Sequence, residues 1–180
     1  SSFSSILQTG MSQAETESTL SVNLEDVYKD ILDASNENLL NKTKLIKDDY
    51  LAGIDLGKLA NKYNVIEVNI IDESGFIVDT NNKEYINYNM ASGEQSSEFL
   101  VLLKGAEKEY VQDYRATSYD NKTLRKYGAI VLDDGGFIQV GYDASQFRED
   151  IDTYVGRVAR NRHVGNKGFV AICDEDFNIV

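Results

Sequence analysis

Arg115 is the residue best suited to chemistry in this chain. It lies among tyrosines at positions 110, 114, 119 and 127, and Asp143 follows Tyr142 at the end of a later apolar run. A guanidinium offers a planar fork of donors that matches a carboxylate, and flanking phenols supply pocket walls with polar tips. The alternative is a surface arginine paired with one of the thirty acidic residues. Asp143 has two readings as well: a seat for a ligand ammonium, or the cap of a helix starting at Ala144 and Ser145. The tyrosines concentrated between positions 85 and 142 exceed what packing needs, because each buried hydroxyl must find a partner. Some of them, Tyr119, Tyr127 and Tyr142 included, are expected to line a pocket.

Other combinations carry less. Asp72-Glu73 and Asp133-Asp134 sit beside glycines between apolar runs and lack the regularly spaced oxygen donors of a calcium loop, so they read as solvated turns. One cysteine (Cys173) and one histidine (His163) form neither a disulfide within the chain nor a metal cluster. Cys173 reads as a small buried hydrophobe and His163 as a linker residue. No nucleophile, base and orienter can be assembled, so the chain reads as a non-enzyme without a cofactor. A net charge of −12 repels phosphate and argues against nucleic acid and anionic lipid as partners.

The elements that must position these residues follow from periodicity. Apolar residues at Leu20, Leu24, Val27, Ile31 and Ala34 recur at helical spacing, blur through Ser35 to Asn41, and resume at Leu45, Ile46, Tyr50 and Leu51. One long helix, kinked or broken near Asn36 to Asn38, is expected, with a short helix over Asp55 to Tyr63. The period then drops to two. Val65–Ile71 and Phe76–Asp79 form a hairpin around Asp72-Glu73-Ser74-Gly75, and Glu109–Tyr114 and Tyr127–Leu132 read as strands. Asp133-Asp134-Gly135-Gly136 turns the chain into a strand over Phe137–Tyr142. Tyr85–Gly93 is a polar loop, Ser96–Lys104 a short helix or, by its apolar run, a strand, and Asp143–Arg160 an amphipathic helix. Finally, Ile172–Val180 repeats the pattern of Ile70–Val78 in register, as though a second sheet were starting. The chain opens on Ser and closes within a strand pattern, which suggests a piece excised from a longer protein.

This order of elements, with the turn Ile70-x-Asp72-x-x-Gly75-x-Ile77 and the strand Gly135-Gly136-Phe137-Ile138-Gln139-Val140-Gly141-Tyr142-Asp143, resembles the double Cache (PAS-like, PDC) sensor domains of bacterial transmembrane receptors. The resemblance implies an α+β fold: a long N-terminal helix, a PAS-like antiparallel sheet, and the start of a second PAS-like lobe. It divides the chain into the signalling and dimerisation helix (1–54), a membrane-distal lobe (55–143), a connecting helix and linker (144–167) and the first strands of a proximal lobe (168–180). It also implies an extracytoplasmic sensor that binds a small molecule in the distal lobe and pairs as a homodimer through the helix. A ligand-free dimerisation or scaffold module of the same fold is the alternative. Any catalytic activity would reside in an output module outside this chain. In the subset of the family that recognises amino acids, a tyrosine, an arginine five residues on, and a strand-end aspartate hold the ligand. Tyr110, Arg115 and Asp143 match those positions, whereas Thr117 and Ser118 stand where that subset has Trp and Tyr. The implied ligand is therefore polar and carboxylate-bearing, with an α-amino acid as one candidate.

Overall fold

The computed structural model of the protein describes residues 24–118 and 123–161. A first helix, α1 (Leu24–Leu51), leads through α2 (Leu56–Tyr63) into the hairpin β1 (Glu67–Ile71) and β2 (Ile77–Thr80). Short helical turns over 83–85 and 90–92, α3 (Glu94–Ser97) and a 3-10 turn (Glu98–Val101) follow. Then come β3 (Glu109–Val111), β4 (Arg115–Ala116), β5 (Leu124–Val131), β6 (Phe137–Tyr142) and α4 (Ala144–Asn161). All strand pairs are antiparallel, in the order β2-β1-β6-β5-β3, with β4 also on β5. The α+β class expected from the sequence is the one observed.

Contacts divide the described chain into a sheet-bearing unit, residues 35–148, and a second unit made of residues 24–34 and 149–161. In the second unit Ile31 is buried, and Tyr154 donates a hydrogen bond to Asp30 at 3.4 Å.

The sheet is apolar on both faces, because alternate residues of the central strands serve different covers. Val68, Ile70, Ile130, Ile138, Val140 and Tyr142 meet Leu39, Ile46, Leu56 and Leu59 of the helices. Ile71, Ile77, Tyr127, Ala129 and Phe137 meet Met90, Phe99 and Leu102 of the segment between β2 and β3.

Helix α1 is continuous through Asn36 to Asn38, so the break anticipated there does not occur. Its buried stripe passes through Ser35, Leu39, Thr43 and Ile46, so small polar residues replace apolar ones in the middle. For Thr43, its size is the reason. A Cβ on Gly128 of β5 would lie 3.0 Å from Leu39 and 3.6 Å from the Thr43 hydroxyl, so helix and strand nearly touch there. Thr43 returns its hydroxyl hydrogen to the Leu39 carbonyl at 2.7 Å, which satisfies it inside the contact. Leu45 and Leu51, which the periodicity assigns to the apolar stripe, are exposed instead. Lysines pin the helix flanks: Lys47 donates to the Val131 carbonyl at 2.9 Å, Lys44 pairs with Glu109 at 3.4 Å, and the buried Lys126 donates to Asn36.

Both acidic turns close hairpins. Asp72 accepts from the backbone N–H of Ser74 and Phe76, and Asp134 from that of Gly136, while Gly75 and Gly135 take positive φ. Ser96–Lys104, read as one helix or a strand, is instead α3 followed by a 3-10 turn, starting two residues earlier. Tyr119, His163, Cys173 and the anticipated second lobe at 168–180 lie outside the described residues.

Leu39 is fully buried against the site of closest approach, so Leu39→Ala is expected to lower unfolding stability by about 2–5 kcal/mol. Urea denaturation of the two proteins measures it.

Candidate functional site

Phe99 builds the site. Its ring is fully buried, stacked at 6.3 Å on Phe137 and met edge-on by Tyr110 at 5.2 Å and Tyr127 at 6.3 Å. Burying a phenylalanine contributes about 2 kcal/mol, and edge-on and offset pairs add to that. With Phe99 locked and Leu102 also buried, the 3-10 turn that holds both Glu98 and Phe99 projects Glu98 toward β4.

Beta strand β4 is only two residues long, Arg115 opposite Arg125 and Ala116 opposite Leu124. That pairing sets Arg115 across from Glu98, and its Nη1 donates to Glu98 Oε1 at 2.6 Å. Glu98 Oε2 accepts from Gln112 Nε2 at 2.6 Å and from the Tyr110 hydroxyl at 3.2 Å. Burial opposes ionisation of this carboxyl, but the donors Gln112, Arg115 and Tyr110 together hold it below the usual carboxylate range.

Beside this pair lies a cleft of about 380 Å³ lined by Ser92, Gly93, Glu94, Gln95, Arg115, Ala116 and Ser118. Its floor is a polar lattice. Gln95 donates to Gln112 at 2.8 Å and Gln112 returns a bond to the Gln95 carbonyl at 2.9 Å. Ser118 accepts from the Ser96 N–H at 3.1 Å and donates its own N–H to Gln95 Oε1 at 3.3 Å. A Cβ on Gly93 would stand 2.2 Å from Ser118 Cβ, so only glycine lets the start of α3 meet the chain just after β4 this closely. The lining offers hydroxyl, amide, carboxylate and guanidinium groups with little apolar surface, a composition for a small polar molecule.

The sequence-derived residues divide in three. Tyr110 and Arg115 come together around Glu98. Tyr127 is 2% exposed, and its hydroxyl is committed to Glu67 at 2.9 Å, so it is core rather than cleft wall. Tyr142 faces the opposite side of the sheet, where Lys42 sits 5.0 Å from its ring. Asp143 is a helix cap: its carboxylate accepts from the Ser145 N–H at 2.8 Å and from the Ser145 hydroxyl, while Gln146 accepts the Asp143 N–H at 2.8 Å. This reciprocal box places Asp143 among backbone donors rather than in the cleft lining. Hydrogen bonds from Ser145 hold its carboxyl below the usual range.

Glu98, Gln95 and Gln112 were not singled out from the sequence. Nothing in Ser96-Ser97-Glu98-Phe99 marks the glutamate, whose partner lies 17 residues on.

A second polar cluster lies within the sheet, on the face shared with Tyr127. Glu67 accepts from Asn69 at 2.6 Å and from the Tyr127 hydroxyl, and Asn69 also donates to Gln139 at 3.2 Å. Asn69 Oδ1 has no partner among the described residues, which costs about 1–3 kcal/mol. Burial raises the Glu67 carboxyl above its ordinary range, partly offset by the bonds from Asn69 and Tyr127 and by the charge of Arg125.

No protein-family model matches the sequence, and no curated protein is similar to it. Solved structures that superpose on it include the Bacillus subtilis YkuI protein, which has an EAL domain (15% identity, TM-score 0.47, covering 68% of this chain and 34% of that one). The sensor domain of the V. cholerae histidine kinase DctB superposes at 15% identity and TM-score 0.43, over 66% of this chain and 48% of that one. The E. coli DcuS sensor domain does so at 15% identity and TM-score 0.38, over 53% of this chain and 68% of that one. This chain thus spans about a third of the first and about half of the second. Its own elements are a long helix ahead of an antiparallel sheet ordered β2-β1-β6-β5-β3, the α+β arrangement that the order in the sequence implies.

Two outcomes follow from this geometry. A carboxyl whose folded-state pKa is raised contributes stability that is complete below its unfolded value and is lost as pH rises through the folded one. Glu67→Gln is therefore expected to gain on the wild type as pH rises from the acid side, in denaturation midpoints measured across that range. Asp143→Ala is expected to cost about 1 kcal/mol through loss of the cap, read from the same melts.

Proposed function

We propose that this chain is the extracytoplasmic sensor domain of a bacterial membrane signal-transduction receptor, taking a polar, carboxylate-bearing small molecule in the cleft at Arg115. The observation that carries the reading is Arg115 itself, a guanidinium on the short strand β4, opening onto a cleft lined by hydroxyl and amide groups. A few convergent polar groups in a concavity, one of them a planar cation, are what recognition of a small anion requires. The chain needs no catalytic step for this role. Among the described residues no helix is long and apolar enough to cross a membrane, so in this reading the anchor and the output module belong to other segments of the receptor.

Signalling would use the contact between α1 and the sheet. Ligand binding favours one packing of the sheet on the helix, and the continuous helix carries the shift as a change in populations. The second reading, a dimerisation module that works without ligand, draws support from Leu45 and Leu51, which are 52% and 62% exposed on α1.

Thermal-shift screening against amino acids, small carboxylates, amines and nucleobases separates the two. At a hundred-fold excess over Kd a true ligand adds roughly 2.7 kcal/mol, a rise in Tm of about 5–10 °C, and Arg115→Ala removes that rise. A flat screen together with a concentration-dependent dimer in sedimentation would favour the second reading.

A further inference from the structure

The cation expected to greet an anionic ligand is already engaged. Arg115 donates to Glu98 at 2.6 Å, and both side chains keep over a third of their surface exposed, 36% and 37%, so the pair is open to competition from solvent. Glu98 does not depend on Arg115 for its position. Gln112 and Tyr110 hold its other oxygen, and Gln112 is itself braced by two hydrogen bonds with Gln95 on the cleft lining. A second carboxylate arriving at Arg115 therefore meets a fixed negative charge bound to the same guanidinium. It must either take over that nitrogen or pay like-charge repulsion at close range.

We propose that Glu98 is the specificity-determining residue of the cleft: an internal carboxylate that competes with anionic ligands for Arg115 and whose displacement registers their arrival. The proposal rests on the reading of the cleft as the ligand seat and adds to it the residue that sets the threshold. An internal competitor weakens every simple carboxylate by the same charge. It thereby favours ligands that offer Glu98 a compensating donor, such as an ammonium or hydroxyl beside the carboxylate. Neutral isosteres have no charge to contest and are indifferent to it.

The link to the fold is one residue away. Phe99 follows Glu98 in the same 3-10 turn and is fixed between Phe137, Tyr110 and Tyr127. Tyr110 both touches that ring and donates to Glu98. A carboxylate that frees Glu98 from Arg115 thus acts on the turn that Phe99 anchors to the sheet.

The test uses the 180-residue chain and two probes of matched shape, propionate and propionamide, titrated by NMR into the wild type, Glu98→Gln and Arg115→Ala. Gln keeps the acceptor for Gln112 and Tyr110 and removes the charge. The expected result is a dissociation constant for propionate lower by about five-fold in Glu98→Gln, the scale of an exposed ion pair, with propionamide unchanged. A general loosening of the site would move both probes alike and would overturn the proposal. So would equal propionate affinity in wild type and Glu98→Gln with binding still abolished by Arg115→Ala, and that outcome would leave the cleft reading intact. Absence of propionate binding to both proteins that retain Arg115 would sink the two together. If Glu98→Gln fails to fold, Glu98→Ser removes the same charge and carries the same expectation.

Discussion

The burial of Phe99 is the contact on which the candidate site depends. Between β2 and β3 the chain forms only short turns and one four-residue helix, elements too brief to hold their shape through backbone hydrogen bonds alone. What fixes them is one ring inserted between Phe137, Tyr110 and Tyr127, with Met90 and Leu102 buried beside it. Glu98 is the neighbour of that anchor, and Gln95 lies one helical turn before it. Without the anchor, Arg115 would be a cation on a two-residue edge strand. With it, the arginine meets a carboxylate at 2.6 Å beside a cleft whose lining includes Gln95 and Ser118.

Polarity is handled differently at the two carboxyl clusters. Glu67 is deep in the sheet, and the groups that hydrogen-bond it, Asn69 and Tyr127, are neutral, so burial outweighs them and raises its carboxyl above the ordinary range. Glu98 is half-exposed and has a guanidinium beside it, so its charge is kept. Only the second arrangement can exchange partners with solvent, because competing for a group already in contact with water carries a small desolvation cost. The chain's large negative charge sharpens the contrast, since a guanidinium open to a cleft is a local exception to the long-range field.

Close approach between helix and sheet serves the other face. Gly128 admits Leu39 and Thr43 of α1, and Lys47, Lys44 and Lys126 tie the helix flanks to the strands and their ends. Residues 35–51 of the helix are thereby part of the cover of the sheet unit's core, not a rod laid against a finished domain.

Much of this was readable from residue order. Alternation of apolar residues marked β1, β5 and β6, aspartate with glycine marked both hairpin turns, and the Asp143-Ala144-Ser145-Gln146 run carried the cap of α4, because each of these depends on neighbours within about four residues. Tyr110 and Arg115 were visible through their spacing. The continuous course of α1 was not, since Ser35 and Thr43 look polar, and only the assembled sheet sets Gly128 beside Thr43. Nor was the burial of Tyr127 and Tyr142 on opposite faces, or the pairing of Glu98 with Arg115. A strand pattern tells which residues share a face, but which cover each face meets, and which charge lies across a gap of 17 residues, follows only when the sheet is assembled. The sequence by itself determined the local elements and the presence of a cation among tyrosines; the tertiary structure decided that this cation already has a partner.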